Sequence, residues 1–490
     1  MAVSQVAPGF RRAREEGHTL MGQKLIMQKL SSMRQSHVLR FYDKLDTAGR
    51  EKIIMQLEAL DLAMIADLVE TQVRIKSAAH LPQEIRPVTP FPRTPGPDQK
   101  DLYARAEARG HELLREGKVA AFLVAGGQGT RLGYEGPKGE YPITPVKNKP
   151  LFQVFAEQLL AQARDHGKPI PWYIMTSDAN DAPTRAFFHR HGNFGYPDDD
   201  VFFFQQGMMP AFAMNGEMLL AETDSLALSP DGHGGSLRAL FKSGALGDMR
   251  KRGVEHLSYF QVDNPLVHCI DPLFLGLHDL TGSEMSSKTV AKAHALEKVG
   301  NFCIADGKLQ VIEYSDLPDD LAKSTNPDGS LRFNAGSIAI HALRVSFIER
   351  LNAGGQLRLP WHRAEKKVPY VDASGRLVKP DKPNAVKLEQ FVFDAIPLAD
   401  NAIVYETDRA EEFSPVKNAE GPDSPATCRR DQERRAARWL SAAGIEVPMR
   451  GEDPDCHLEI SPLVAVCQAQ LVARKPRVFI RVGQSVYVEK

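Results

Sequence analysis

Between Phe122 and Ile143 the chain reads FLVAGGQGTRLGYEGPKGEYPI, an apolar run followed by a loop with six glycines, one arginine and one lysine. Glycines let backbone N–H groups come close to an anion. Arg131 can take two phosphate oxygens at once, and Lys138 adds a compact point charge. These residue types together suggest phosphate binding, and their spacing narrows which phosphate. A dinucleotide fingerprint needs G-x-G-x-x-G; Gly127 and Gly129 begin it, but Leu132 holds the third place and Gly133 comes one residue late. About twenty residues on, the chain reads NKPLF, without the acid that would hold a ribose hydroxyl. A P-loop needs Gly-Lys-Ser or Gly-Lys-Thr, whereas Lys138 lies between Pro137 and Gly139. What remains suits a nucleoside triphosphate or a pyrophosphate leaving group. A glycine-rich turn beside a solvated arginine and lysine is the plainer alternative.

The elements that must position this loop follow from apolar spacing. VAAFLVAGG reads as a buried parallel strand, and PWYIMTSD, VFFFQQG, HLSYFQVDN and SIAIHAL read as further strands. Helical stretches such as LFQVFAEQLLAQARDHG alternate with some of them, which predicts an α/β layer on a mostly parallel, mixed sheet. In such sheets ligands sit beyond the carboxyl ends of strands, where Gly126, Ser177, Gln206 and Asp263 are expected to lie. Upstream, Val38, Leu39, Phe41, Ile53, Ile54, Leu57 and Leu60 recur at helical spacing and predict an N-terminal helical region. The proline-rich stretch Leu81–Asp98 reads as a connector without regular structure. Short strands after about Asp400 (NAIVYET and PRVFIRVGQSVYVEK) suggest a smaller C-terminal region. The expected organisation is thus residues 1–110 helical with the connector, 111–400 catalytic, and 401–490 a small C-terminal region.

Composition sets outer limits. A formal net charge of −1 argues against a protein built to coat nucleic acid. Five cysteines without a C-x-x-C pair suggest neither a zinc ribbon nor a disulfide framework. The first twenty residues hold no apolar core like that of a secretory signal, and no segment approaches the roughly 20 apolar residues that span a bilayer. A soluble cytoplasmic protein is expected, with no membrane partner.

The loop GGQGTRLG…PKG resembles the signature of the UTP:sugar-1-phosphate uridylyltransferases, and within them the eukaryotic-type UDP-N-acetylhexosamine pyrophosphorylases. Further segments match in the same order: FFFQQGMMPAF, SPDGHGGSLRAL, YFQVDNPLV, EKVGNFC, VIEYSDL, FNAGSIAIH, KKVPYVDASGRLVKPDKPNAVKLEQFVFDAIP and EEFSPVKNAEG. The similarity runs from about Ser36 to Gly421 and weakens afterwards.

The resemblance implies a Rossmann-like sheet of the GT-A nucleotidyltransferase type. It also implies a magnesium-dependent reaction of UTP with a sugar 1-phosphate, giving a UDP-sugar and pyrophosphate. Arg131, Lys138 and Lys417 would be the catalytic cations, and Asp263 the Mg2+ ligand. Gly126, Gly127, Gln206 and Gly232 would hold the nucleoside. Gly300, Glu313, Asn334, Phe391 and Phe393 would surround the sugar. The implied acceptor is N-acetylglucosamine 1-phosphate. Two departures bear on it: DGHGG places His233 where the family carries asparagine near the N-acetyl arm, and Ser337 stands where FNAGN is usual. An imidazole there leaves glucose 1-phosphate, or a broader set of sugars, as the alternative.

Overall fold

The computed structural model describes residues 23–75, 82–355 and 357–489. The chain folds into two compact units, each assembled from separated segments.

The first unit gathers Met1–His80, Gly207–Gly232 and Pro360–Phe391. Residues 23–32 are helical, and Asp46 and Asp61 cap the helices Thr47–Ala59 and Leu62–Leu68 by accepting from the N–H groups of Gly49 and Met64. Such caps satisfy donors that a helix start leaves open. The apolar face of these helices, including Val38, Ile53, Leu57 and Ile65, needs cover. It packs against Phe212, Met218, Val386 and Leu388 from the other two segments. Phe212–Ala213, His362–Lys366 and Ala385–Glu389 form a small antiparallel sheet. The N-terminal helices are therefore one face of a unit completed by chain more than a hundred residues away.

The second unit gathers Leu81–Gln206, His233–Leu359 and Val392–Lys490 around a ten-stranded mixed sheet. Its strands, in chain order, are β1 (Ile85–Pro87), β2 (Val119–Val124), β3 (Trp172–Thr176), β4 (Val201–Gln205) and β5 (His256–Gln261). They continue with β6 (Met285–Ala291), β7 (Asn301–Ala305), β8 (Lys308–Ile312), β9 (Ala335–Arg344) and β10 (Ala402–Glu406). Strands β4, β3, β2 and β5 run parallel side by side, and β9 is antiparallel to β5, β6 and β7. β2 and β3 are apolar on both faces because helices cover both; Phe122, Trp172 and Tyr173 are wholly buried.

The helix Lys100–Arg115 crosses the helix Pro272–Leu280 at very short range. A Cβ on Gly110 would fall 1.8 Å from the Pro272 carbonyl oxygen, and one on Gly276 1.7 Å from that of Ala106. Only glycine permits this contact.

These observations correct three expectations. The organisation is two discontinuous units instead of three consecutive segments, and the helix Lys100–Arg115 belongs with the sheet. The proline-rich connector contains β1, an edge strand paired only with β7, where Pro87 needs no ladder donor on its open side. NAIVYET is strand β10 of the main sheet, parallel to β6. The remaining C-terminal chain has a local core of its own, with Trp439, Leu440, Leu458, Leu471 and Val486. Its strands are His457–Ile460 and Ser485–Val488, so PRVFIRVGQSVYVEK forms a strand only over its last turn of sequence. Among the described residues no helix is long and apolar enough to cross a membrane.

Candidate active site

The parallel register sets the ends of β2, β3, β4 and β5 at one edge: Val124 pairs with Met175 and Gln261, and Thr176 with Gln205. The glycine loop leaves β2 there. Ala125 donates to Met175 O (2.8 Å), and the buried Asn180 side chain ties the turn down by donating to Ala125 O (2.9 Å) and Gly127 O (3.3 Å). Its own amide oxygen accepts from Ser177 N–H (2.7 Å). Gly126 lies so close to Gln206 that a Cβ would stand 3.0 Å from the glutamine Oε1. Both proposed base-reading elements thus meet at the carboxyl ends of β2 and β4.

The loop then turns back. Gly129 donates to Gly136 O (2.8 Å), and Lys138 donates to Gly127 O (3.0 Å), which returns Lys138 to the strand end. A short helical turn, Lys138–Glu140, fixes it, and Gly139 is packed on Phe152, whose ring would lie 2.1 Å from any Cβ. Lys138 is 7% exposed. Burial lowers its pKa, Arg131 and Lys417 push it further the same way, and Asp263 opposes them. Among the described residues none of Arg131, Lys138, Asp263 and Lys417 forms an ion pair.

Asp263 and Lys417 come from segments far apart in sequence, yet their backbones are stitched together. Val416 donates to Asp263 O (2.7 Å), and Lys417 and Asn418 both donate to Asp423 O (2.7 and 3.0 Å). Burial raises the pKa of Asp423, and Lys417 moderates the rise. From Asp263 and Lys417 a cavity with about 790 Å³ of open space extends past Gly300, Glu313, Ser337, His233 and Phe393. Gly300 is closed in by Val311 Cγ1 (2.6 Å from a Cβ) and Glu313 Oε1 (3.4 Å). His233 Nδ1 accepts from Val392 N–H (3.0 Å), so the neutral ring carries its proton on Nε2.

Not every sequence candidate meets this cavity. Asn334 uses both its carbonyl and its side-chain oxygen to accept from Lys292 N–H (3.0 and 2.9 Å), and it is not in the cavity wall. Gly232 and Phe391 belong to the first unit, where Phe391 stacks on His362 with ring centres 4.2 Å apart. Gly127 is exposed at the loop surface. Two residues were missed by sequence reasoning. Asn180 was signalled only by its place after a strand end. Lys298 lines the cavity, next to Glu297, which accepts from Ala293 N–H (2.7 Å) and pairs with Arg409 (2.8 Å).

A second cluster, His268, Asp271 and Glu412, brings ligand-type atoms within 4.8 Å of one another. The ammonium of Lys288 already fills it, at 2.6 Å from both Asp271 and Glu412. It serves the core.

The family described as UTP–glucose-1-phosphate uridylyltransferase matches residues 71–421. The chain is 40% identical over 459 residues to UDP-N-acetylhexosamine pyrophosphorylase-like protein 1 of Xenopus tropicalis, covering 88% of this chain and 90% of the relative. It is 35% identical to the UDP-N-acetylglucosamine pyrophosphorylase of Saccharomyces cerevisiae over 469 residues, covering 92% and 96%. The crystal structure of the uridine diphosphate N-acetylglucosamine pyrophosphorylase of Trypanosoma brucei superposes with a TM-score of 0.80 at 25% identity, covering 96% of this chain and 98% of that one. The chain belongs to the UTP–glucose-1-phosphate uridylyltransferase family, the enzymes that join UTP to sugar 1-phosphates.

Proposed function

We propose that this protein transfers the uridylyl group of UTP to N-acetylglucosamine 1-phosphate, releasing pyrophosphate. The observation that carries the reading is a set of three cations and one carboxylate without ion-pair partners among the described residues. Asp263 and Lys417 of that set line a cavity that also holds Gly300 and Glu313 for a sugar, and Lys138 feels the charge of both. The names of the yeast and trypanosome relatives supply the acceptor.

A phosphate monoester has its second pKa near 6, so at neutral pH the sugar phosphate is already an anionic nucleophile. The protein therefore needs no serine, histidine or cysteine base. Its task is to hold two anions in line and to stabilise the charge that moves onto the leaving pyrophosphate. Lys138 and Arg131 grip the triphosphate from the loop, and Lys417 neutralises charge from the opposite segment. Gly126 and Gln206 read the uracil edge, since an amide donates and accepts at once. Gly127 brings its backbone to the same nucleotide. Glu313, beside Gly300, hydrogen-bonds sugar hydroxyls, and Phe393 walls the pocket; the substrate roles of Gly232, Phe391 and Asn334 rest on the resemblance alone.

A divalent cation fits the donor set. Asp263 offers a half-exposed, unpaired carboxylate at a strand end, and Mg2+ favours one or two carboxylates with phosphate oxygens and water. When bound, it supplies charge neutralisation between the phosphates.

One observation favours a second reading. His233 presents an Nε2–H donor and a bulkier ring than the asparagine usual there, and this suits an unsubstituted hexose or a broader sugar set. The deciding experiment supplies UTP, Mg2+ and a panel of sugar 1-phosphates and measures pyrophosphate release. Turnover greatest with N-acetylglucosamine 1-phosphate is expected. No turnover with any sugar would end the enzymatic reading, and a clear preference for glucose 1-phosphate would establish the second.

A further inference from the structure

The C-terminal chain makes a connected series of bonds to the segment that follows Lys138. Arg429, on the helix Pro425–Ala442, donates to Pro142 O (2.8 Å), and Gln432 donates to Ile143 O (3.2 Å). From the strand His457–Ile460, one oxygen of Glu459 accepts from the N–H groups of Val146 (2.9 Å) and Lys147 (2.7 Å). From the strand Ser485–Val488, the Tyr487 hydroxyl meets the ammonium of Lys149 (2.6 Å), which also binds both oxygens of Glu157. The carbonyls and amides of 142–149 are thus held from outside by residues some three hundred positions away.

Glu459 is the costly member of this series. It is 6% exposed, and among the described residues its second oxygen, Oε1, has no hydrogen-bond partner. Glu459 lines a crevice together with Thr144, Gln158 and Arg435. A buried carboxylate with an unanswered oxygen lowers stability, and a methylene chain would pack there without that cost. Its gain is two charge-assisted bonds to loop amides, roughly twice as strong as neutral ones. The same helix that carries Arg429 and Gln432 begins at Ser424, the residue after Asp423, whose carbonyl holds Lys417. One helix therefore bonds to the segment after Lys138 and adjoins the residue that holds the Lys417 backbone.

The geometry points to the C-terminal region as the device that positions the phosphate loop, with Glu459 as its positioning residue. Glu459 touches no substrate; it fixes the 142–149 backbone, and through it the turn that presents Lys138. The inference rests on the proposed role of Lys138 toward UTP.

The test uses the full chain with UTP, Mg2+ and the best sugar 1-phosphate. Glu459→Ala is expected to lower kcat/KM for UTP about tenfold, since small misplacement of a binding group is costly, while the KM for the sugar phosphate stays unchanged. Glu459→Gln keeps an acceptor oxygen and should restore most of the loss. Amide hydrogen exchange over 142–149 should quicken in the alanine variant. Leu471→Ala, in the core of the same region and away from the loop, should lower Tm without the kinetic change. The inference is overturned if Glu459→Ala leaves the UTP kinetics intact, if glutamine fails as badly as alanine, or if Leu471→Ala reproduces the same loss. A Lys138→Ala control without effect would instead defeat the role given to Lys138.

Discussion

Lys288 and Lys138 lie in the same unit with their side chains almost wholly out of water, yet one is answered by carboxylates and the other is not. Lys288 is 1% exposed and touches three carboxylate oxygens, one of Asp271 and both of Glu412. Asp271 also caps the helix Pro272–Leu280, and Glu412 accepts from His268 N–H. Every charge there has a place, and Lys288 keeps a raised pKa in spite of burial, through Asp271 and Glu412. Lys138 has Asp263 in range but no carboxylate at ion-pair distance, and two further cations press on it. A buried charge without a counter-ion is expensive. The difference separates a charge answered within the fold from one that the proposed function assigns to an incoming anion.

The contrast can be broken by substitution. Lys288→Met should have the largest effect, about 3–5 kcal/mol of stability, because it strands two buried carboxylates. Thermal unfolding would show it, and the protein that remains folded should turn over normally. Lys138→Ala should invert the pattern, with kcat down about a hundredfold, as for loss of one transition-state contact, and little change in Tm. A Lys138 variant that altered only UTP affinity would contradict its assigned role.

The pH profile sharpens the same point. Lys138 works when protonated, and its pKa in the free enzyme is depressed by burial, so kcat/KM for UTP should fall on the alkaline side below the ordinary lysine range. Lys138→Arg, charged at every accessible pH, should remove that limb. The smallest effect is expected from His233→Asn. The ratio of kcat/KM for N-acetylglucosamine 1-phosphate over glucose 1-phosphate should rise by about tenfold or less, the scale of one altered pocket contact.

The sequence made some of this plain and hid the rest for identifiable reasons. The ends of β2 to β5 were legible because apolar runs and the turns after them are local. Gly126, Gln206 and Asp263 could therefore be placed at one edge before any coordinates. The loop's mismatch with dinucleotide and P-loop spacing was equally local. The edge strand β1 was hidden among prolines because its pairing with Ala305 and Cys303 is long-range. The first unit was misjudged because Ile53 and Leu57 carry the helical period but not the identity of Val386 and Leu388, which cover them. Glu459 had no signal at all, since its partner Val146 lies 313 residues away. Asn334 was singled out by a motif match, and the structure adds that its side-chain oxygen accepts from the Lys292 amide.

The single backbone bond from Val416 to Asp263 has a consequence for how such a protein can change. It sets a fixed pitch between the carboxylate and Lys417 that owes nothing to the sugar. The residues to which the resemblance gives the sugar lie elsewhere, Gly300 and Glu313 at the two ends of the hairpin of β7 and β8, and His233 and Phe393 on other segments. Under the proposed function, selectivity can drift at these positions while the spacing of Asp263 and Lys417 stays constant, so that one scaffold serves several hexoses.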